Sequence, residues 1–197
     1  MSGAFKGQIA ALTARAVENI RLERWDAAEH TVGQLLKIDR QDPDGLHMMG
    51  LVRVHQGKPE EAEGFYRHSL RRKPEQAYVH VSLARLLAQT GRLPQAITDL
   101  RAAIRAVPNN ADLHLLLGQM QQSAGELEFA ERNLRAALAL KPDDPMAVQS
   151  LCAMLHATAR TGEAEALLRA TLARELPPAA RALLDHTLAV LTKAPKD

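Results

Sequence analysis

Apolar residues recur along this chain at helical spacing, and the helices they define recur every 34 residues. Five windows laid end to end from Ile9, Pro43, Ala77, Ala111 and Pro145 align without a gap. Their twentieth position holds Ala28, Ala62, Ala96, Ala130 and Ala164. Their eighth holds Ala16, Gly50, Ala84, Gly118 and Cys152, all small. The twenty-fourth holds Val32, Tyr66, Leu100, Leu134 and Leu168, and the twenty-eighth Leu36, Leu70, Ile104, Leu138 and Leu172. A fixed period of this length marks a repeat array, in which each unit buries its apolar face only against its neighbours. No segment alternates with period two, so no strand is expected.

The helix breakers keep the same phase. Pro43 and Pro145 open a window, where a helix tolerates proline because the missing N–H has no partner anyway. Pro59 and Pro94 fall at the start of a second helix, and Pro74, Pro108 and Pro142 share the thirty-second position. Gly57, Gly91 and Gly125 share the fifteenth, the natural place for a left-handed residue after a helix. Each window therefore predicts helix A over roughly positions 1–14, a tight turn, and helix B over roughly positions 18–31. The expected organisation is an extension over 1–8, five repeats (9–42, 43–76, 77–110, 111–144 and 145–178), a capping helix over 179–193 and a frayed tail over 194–197. Leu183, Leu184, Leu188 and Leu191 give the last helix its apolar face.

Composition narrows the picture. Hydrophobic residues make up 46% of the chain but aromatic residues only 3%, so the core has to be Leu and Ala packed closely. A net charge of +2 gives no bulk argument for nucleic acid or an anionic membrane. A single cysteine excludes an intramolecular disulfide. The first eight residues hold no apolar run long enough for a signal peptide, and no stretch reaches the length of a membrane span. The expected location is the cytoplasm, and the 18 Arg against 7 Lys point to a GC-rich bacterial genome.

These residues resemble the tetratricopeptide repeat. The pattern is clearest in Leu46, Met49-Gly50, Gly57, Ala62, Tyr66, Ser69 and Pro74, and again in Leu117-Gly118, Gly125, Ala130, Leu134, Ala137 and Pro142. The first window departs with Glu23 and Arg40 at the Gly and Pro positions, the fifth with Ala159 and Leu176. The resemblance implies an all-α, right-handed superhelical solenoid of antiparallel helix pairs, with the A helices forming a concave wall. Thr13, Val17 and Ile20 would face that groove first. His47, Leu51, His55, Tyr78, Val81, Arg85, Leu115, Gln119, Gln122, Gln149 and His156 would continue it. Such a wall suits an extended segment or a helix with apolar anchors. Tyr78 and Arg85, types enriched at binding hot spots, would point away from the repeat–repeat core. The implied role is a non-catalytic module for a protein or peptide partner. Two alternatives stay open: the N-terminal region of a larger bacterial enzyme of sulfotransferase, glycosyltransferase or hydroxylase type, and a scaffold that self-associates through its end repeats.

Sharper chemistry finds little support. The groove positions that grip a C-terminal carboxylate in some members of that family hold Thr13, Val17, Met48, Tyr78 and Ser82 here, or His47, Leu51, Ser82, Asp112 and Leu116 one repeat later, and neither set supplies the cations. His47 and His55 are eight apart, without the three- or four-residue spacing that pairs ligands on one helix face, so no metal or cofactor is expected. A pH-sensitive contact is the better role for a groove histidine. Arg67, Arg101, Arg135 and Arg169 form a row, but Glu63, Glu131 and Glu165 lie four residues ahead of three of them and would pair. Without stacking aromatics the row is not a nucleic-acid site. Trp25 is expected in the core, and Cys152 as small filler with no base beside it.

Overall fold

The computed structural model describes residues 3–193; the expected tail 194–197 lies outside the described residues. Among these the chain forms eleven α-helices and no strand. They are α1 (Gly3–Arg21), α2 (Trp25–Ile38), α3 (Pro43–His55), α4 (Pro59–Arg72), α5 (Ala77–Gln89), α6 (Leu93–Ala106), α7 (Ala111–Ser123), α8 (Leu127–Leu140), α9 (Pro145–Ala157), α10 (Thr161–Leu172) and α11 (Pro178–Lys193). Helices α3, α5, α7 and α9 begin on the first residue of a 34-residue window. Helix α1 begins at Gly3, six residues ahead of Ile9, so most of the expected extension is helical.

The chain divides into two compact units, the first ending at Asp99 and the second starting at Leu100. In the first, α1 pairs with α2 and α3 with α4, while α2 also packs on α3, α4 on α5, and α1 on α3. Ala16, Ala28, Val32, Leu35, Met49 and Val52 are buried at its near end, with Trp25 half-buried against them. In the second unit, α7 pairs with α8 and α9 with α10, and α11 packs on α9 and α10. Leu184 and Leu191 of α11 join Leu151, Leu155, Ala164 and Leu168 in one cluster.

Two local devices set the period. Three of the A helices start at a side-chain N-cap: the Asp42 carboxylate accepts from the Gly45 amide at 2.6 Å, Asn110 from Leu113 at 3.0 Å, and Asp144 from Met146 and Ala147 at 3.0 and 3.1 Å. These caps satisfy amides that no helix can satisfy internally. The A-to-B turns use a left-handed residue. Gly57, Gly91 and Gly125 have φ of 70°, 77° and 78°, and at the equivalent places Glu23 and Ala159 take φ of 54° and 59° despite their side chains.

The repeated alanines are fully buried: Ala28, Ala62, Ala96, Ala130 and Ala164 are each 0% exposed. A methyl added to Gly118 would meet Leu134 Cγ at 2.8 Å, which explains the small residue at that position.

Candidate functional site

The site is built on the A helices of the first unit. Thr13, Val17 and Ile20 of α1, Asp44, His47, Met48 and Leu51 of α3, and Tyr78 of α5 line one open recess of about 410 Å³. Helical spacing explains the set: Thr13, Val17 and Ile20, like Asp44, His47, Met48 and Leu51, recur at three or four residues and share one face. Val17 is 53% exposed and Tyr78 46%, while Met48 is buried.

His47, half-buried, is one of the polar residues that line the recess. Its ring lies 4.9 Å from that of Tyr78, edge on, and 5.6 Å from that of Tyr66. The Ser82 hydroxyl donates to the Tyr78 carbonyl at 3.0 Å, so His47 Nε2 donates to Ser82 Oγ, also at 3.0 Å. Burial against these rings pushes the imidazole down to about 4, and nearby Asp44 offsets that only in part. His47 is thus neutral near pH 7, where the sequence alone suggests a pH-sensitive contact.

At the rim the Tyr78 hydroxyl donates to Asp44 Oδ1. Gln76 Nε2 donates to the same oxygen at 2.8 Å and also contacts the Tyr78 hydroxyl. Burial, and next the hydrogen bond to Asp44, push the Tyr78 phenol above its ordinary value. Tyr78 therefore does not simply point away from the packing, as the resemblance implies. It ties α5 to α3. Gln76, 3% exposed, also accepts from the Ser69 hydroxyl at 3.1 Å.

Asp44 and Gln76 are the residues that sequence reasoning missed, and both left a trace. Gln76 stands where Asp42, Asn110 and Asp144 cap three other A helices, and its side chain makes no cap bond. A departure from Asx at a capping position marks a side chain used elsewhere. Asp44 occupies the same repeat position as Tyr78, 34 residues earlier.

Other expected groove residues are placed differently. His55 stacks on Trp25, ring centroids 4.4 Å apart and planes 13° from parallel, at a separate depression lined also by Glu23, Arg24 and Gln56. Val81 is half-buried and Arg85 exposed. In the second unit Gln119 Nε2 donates to Ser150 Oγ at 2.9 Å, bridging α7 and α9. His156 Nδ1 pairs with the Thr161 hydroxyl at 2.9 Å, and Leu115 packs on the core. Gln122 and Gln149 are half-buried on α7 and α9.

The remaining candidates resolve structurally. Arg67, Arg135 and Arg169 pair with Glu63, Glu131 and Glu165 at 2.9, 2.5 and 2.9 Å, and Arg101 takes Glu126 at 2.7 Å. Exposed pairs of this kind add little stability, but they neutralise the row. His80 and His114 share a position and a use, each meeting a proline carbonyl, Pro74 at 2.8 Å and Pro108 at 3.1 Å. Cys152 is buried, its thiol pushed up to about 12 by burial. Among the described residues no group of three or more His, Cys, Asp or Glu is placed to hold a metal ion. No described helix is long and apolar enough to cross a membrane.

The tetratricopeptide-repeat family model matches residues 53–120. No curated protein sequence matches the chain. A thermophilic tetratricopeptide-repeat protein of Thermus thermophilus is 26% identical and superposes with a TM-score of 0.71 over 92% of this chain and 99% of that one. The pilF protein of Pseudomonas aeruginosa superposes with a TM-score of 0.76 at 16% identity, over 95% of this chain and 90% of that one. YrrB, described as a tetratricopeptide-repeat protein with an unusual peptide-binding site, does so at 0.64 and 18%, over 91% and 89%.

Proposed function

We propose that the chain, which has the fold of tetratricopeptide-repeat proteins and matches their family model over residues 53–120, is a non-catalytic module holding a peptide or a partner's segment against its A helices. The fold is one of protein–protein interaction. The observation that carries the finer reading is the recess of about 410 Å³ on α1, α3 and α5, lined mainly by aliphatic side chains beside a few polar groups. Pockets that fix a ligand combine an apolar lining with a small number of oriented polar atoms. Exposed Val17 and Tyr78 on such a rim are what an interaction surface leaves uncovered.

In this reading the repeats run 9–42, 43–76, 77–110, 111–144 and 145–178, with 179–193 as a cap. Val81 and Arg85 on α5 of the first unit, and Leu115, Gln119, Gln122, Gln149 and His156 on α7 and α9 of the second, are assigned as further contacts, each within its own unit. The experiment is affinity capture with the purified protein, followed by titration of each captured partner against variants of the recess. Partners that bind equally well to a protein with Val17→Asp and Leu51→Ser would refute the assignment.

A further inference from the structure

The recess has a charge character that its aliphatic lining hides. Among the described residues Asp44 is the one acidic side chain that lines it, and no Lys or Arg does. The half-buried His47 ring adds no positive charge near pH 7. Among the described residues no cation lies within ion-pair distance of Asp44. Its two partners, Gln76 and Tyr78, are neutral donors, and both use Oδ1, which leaves Oδ2 for an incoming donor. Asp42, the N-cap of the same helix, adds a second acidic group close enough to act on the Tyr78 hydroxyl. Elsewhere in the first unit several carboxylates are matched: Glu29 by Arg53, Glu63 by Arg67 and Arg92, Asp99 by Arg67. An acidic group that the fold leaves without a cation, beside an apolar hollow, is complementary to a cation on a guest.

We propose that this recess takes a basic, apolar segment, with an aliphatic side chain seated among Val17, Ile20, Met48 and Leu51 and an adjacent Lys or Arg on Asp44. The inference rests on the recess being the binding site and adds the chemistry of the guest. Apolar burial supplies most of the affinity, and the charge pair selects against acidic segments. Arg fits better than Lys, because its fork can reach Oδ2 while its stem covers the Tyr78 ring.

The test is selection from a random twelve-residue peptide library displayed on phage, run in parallel on the wild-type protein and on Asp44→Asn. Asparagine keeps an oxygen for Gln76 and Tyr78, so the rim stays assembled while the charge goes. Wild type should enrich peptides with Leu, Ile or Met within four residues of Arg or Lys, and deplete Asp and Glu. Asp44→Asn should keep the aliphatic enrichment and lose the basic one. Changing Arg to Glu in an enriched peptide should weaken wild-type binding at least tenfold. Should Asp44→Asn fail to fold, the salt dependence of the wild-type interaction replaces it, and affinity should fall as salt rises. Aliphatic enrichment without charge preference, or basic enrichment that survives Asp44→Asn, overturns this inference and leaves the binding site standing. No enrichment, or peptides indifferent to Val17→Asp, overturns the binding site as well.

Discussion

Asp44 and Tyr78 stand one period apart, at the second position of consecutive A helices, and the Tyr78 hydroxyl donates to the Asp44 carboxylate. The bond turns the repeat's own register into a cross-link between α3 and α5. It also means that Tyr78 has a structural duty beside any role in binding. Tyr78→Phe should lower stability by about 1 kcal/mol, the worth of one such hydrogen bond. Tyr78→Ala should cost more, through loss of contact with His47. Chemical denaturation of both variants checks this. Two midpoints equal to wild type would show that the rim bond carries no weight.

The small eighth position and the large twenty-fourth are coupled within a repeat. A methyl at Gly50 would sit 2.6 Å from Tyr66 Cδ1, and the ring, 1% exposed, has no open space to swing into. Gly50→Ala should therefore cost about 1–3 kcal/mol by overpacking, against the gain alanine normally brings to a helix. Tyr66→Leu, which installs the residue found at Leu100, Leu134 and Leu168, should recover most of that loss when combined with Gly50→Ala. Equilibrium unfolding of the single and double variants gives the coupling directly. Additive losses would mean that the two sites do not compete for space.

Glu23 and Ala159 adopt a left-handed backbone that costs a residue with a β-carbon about 1–2 kcal/mol. Glycine removes that cost but gains about 0.4–1 kcal/mol of unfolded-state freedom. Glu23→Gly and Ala159→Gly should each stabilise the protein by several tenths of a kcal/mol. The opposite substitution, Gly91→Ala, should destabilise it. Differential scanning calorimetry reads all three, and a lower midpoint for Ala159→Gly would contradict the backbone argument.

His47 makes stability depend on pH in a defined direction. Its folded value of about 4 lies below the ordinary 6.5, so the unfolded chain takes up a proton first. Its contribution is complete above about pH 6.5 and is lost as pH falls towards 4. The full shift corresponds to ~3 kcal/mol. Glu29 and Glu63, whose values are lowered chiefly by hydrogen bonds from Arg53 and Arg92, lose their contribution at lower pH, below the ordinary carboxylate range. Unfolding free energy measured from about pH 7.5 to about pH 4.5 should fall less steeply for His47→Gln than for wild type. Parallel curves would contradict the half-buried, neutral assignment.

The period, the helix pairs and the buried alanines are legible in the sequence because each repeats at one register position, so five weak signals add. The recess is legible in part. Helix phase puts Val17 with its α1 neighbours and His47 with Leu51 on one face each, and the family resemblance is what implies that these faces and Tyr78 line a groove. The use made of each side chain does not follow from phase. Asp44 and Gln76 act in one repeat only, and a pattern that averages over repeats discards them. Position alone assigns His55 to the groove, but the half-buried Trp25 ring offers it a closer apolar surface.

The central claim is that a partner binds on the A-helix recess of the first unit and not on the arginine row. Val17→Asp and Arg101→Ala test it, because both side chains are exposed and neither variant should disturb folding. The measurement is isothermal titration of an enriched basic, apolar peptide into wild type and both variants at one salt concentration. The account predicts that Val17→Asp weakens binding about tenfold or more, equivalent to ~1.4 kcal/mol, while Arg101→Ala changes it less than about twofold. Loss of binding with Arg101→Ala and full binding with Val17→Asp would contradict it and move the site to the arginine row.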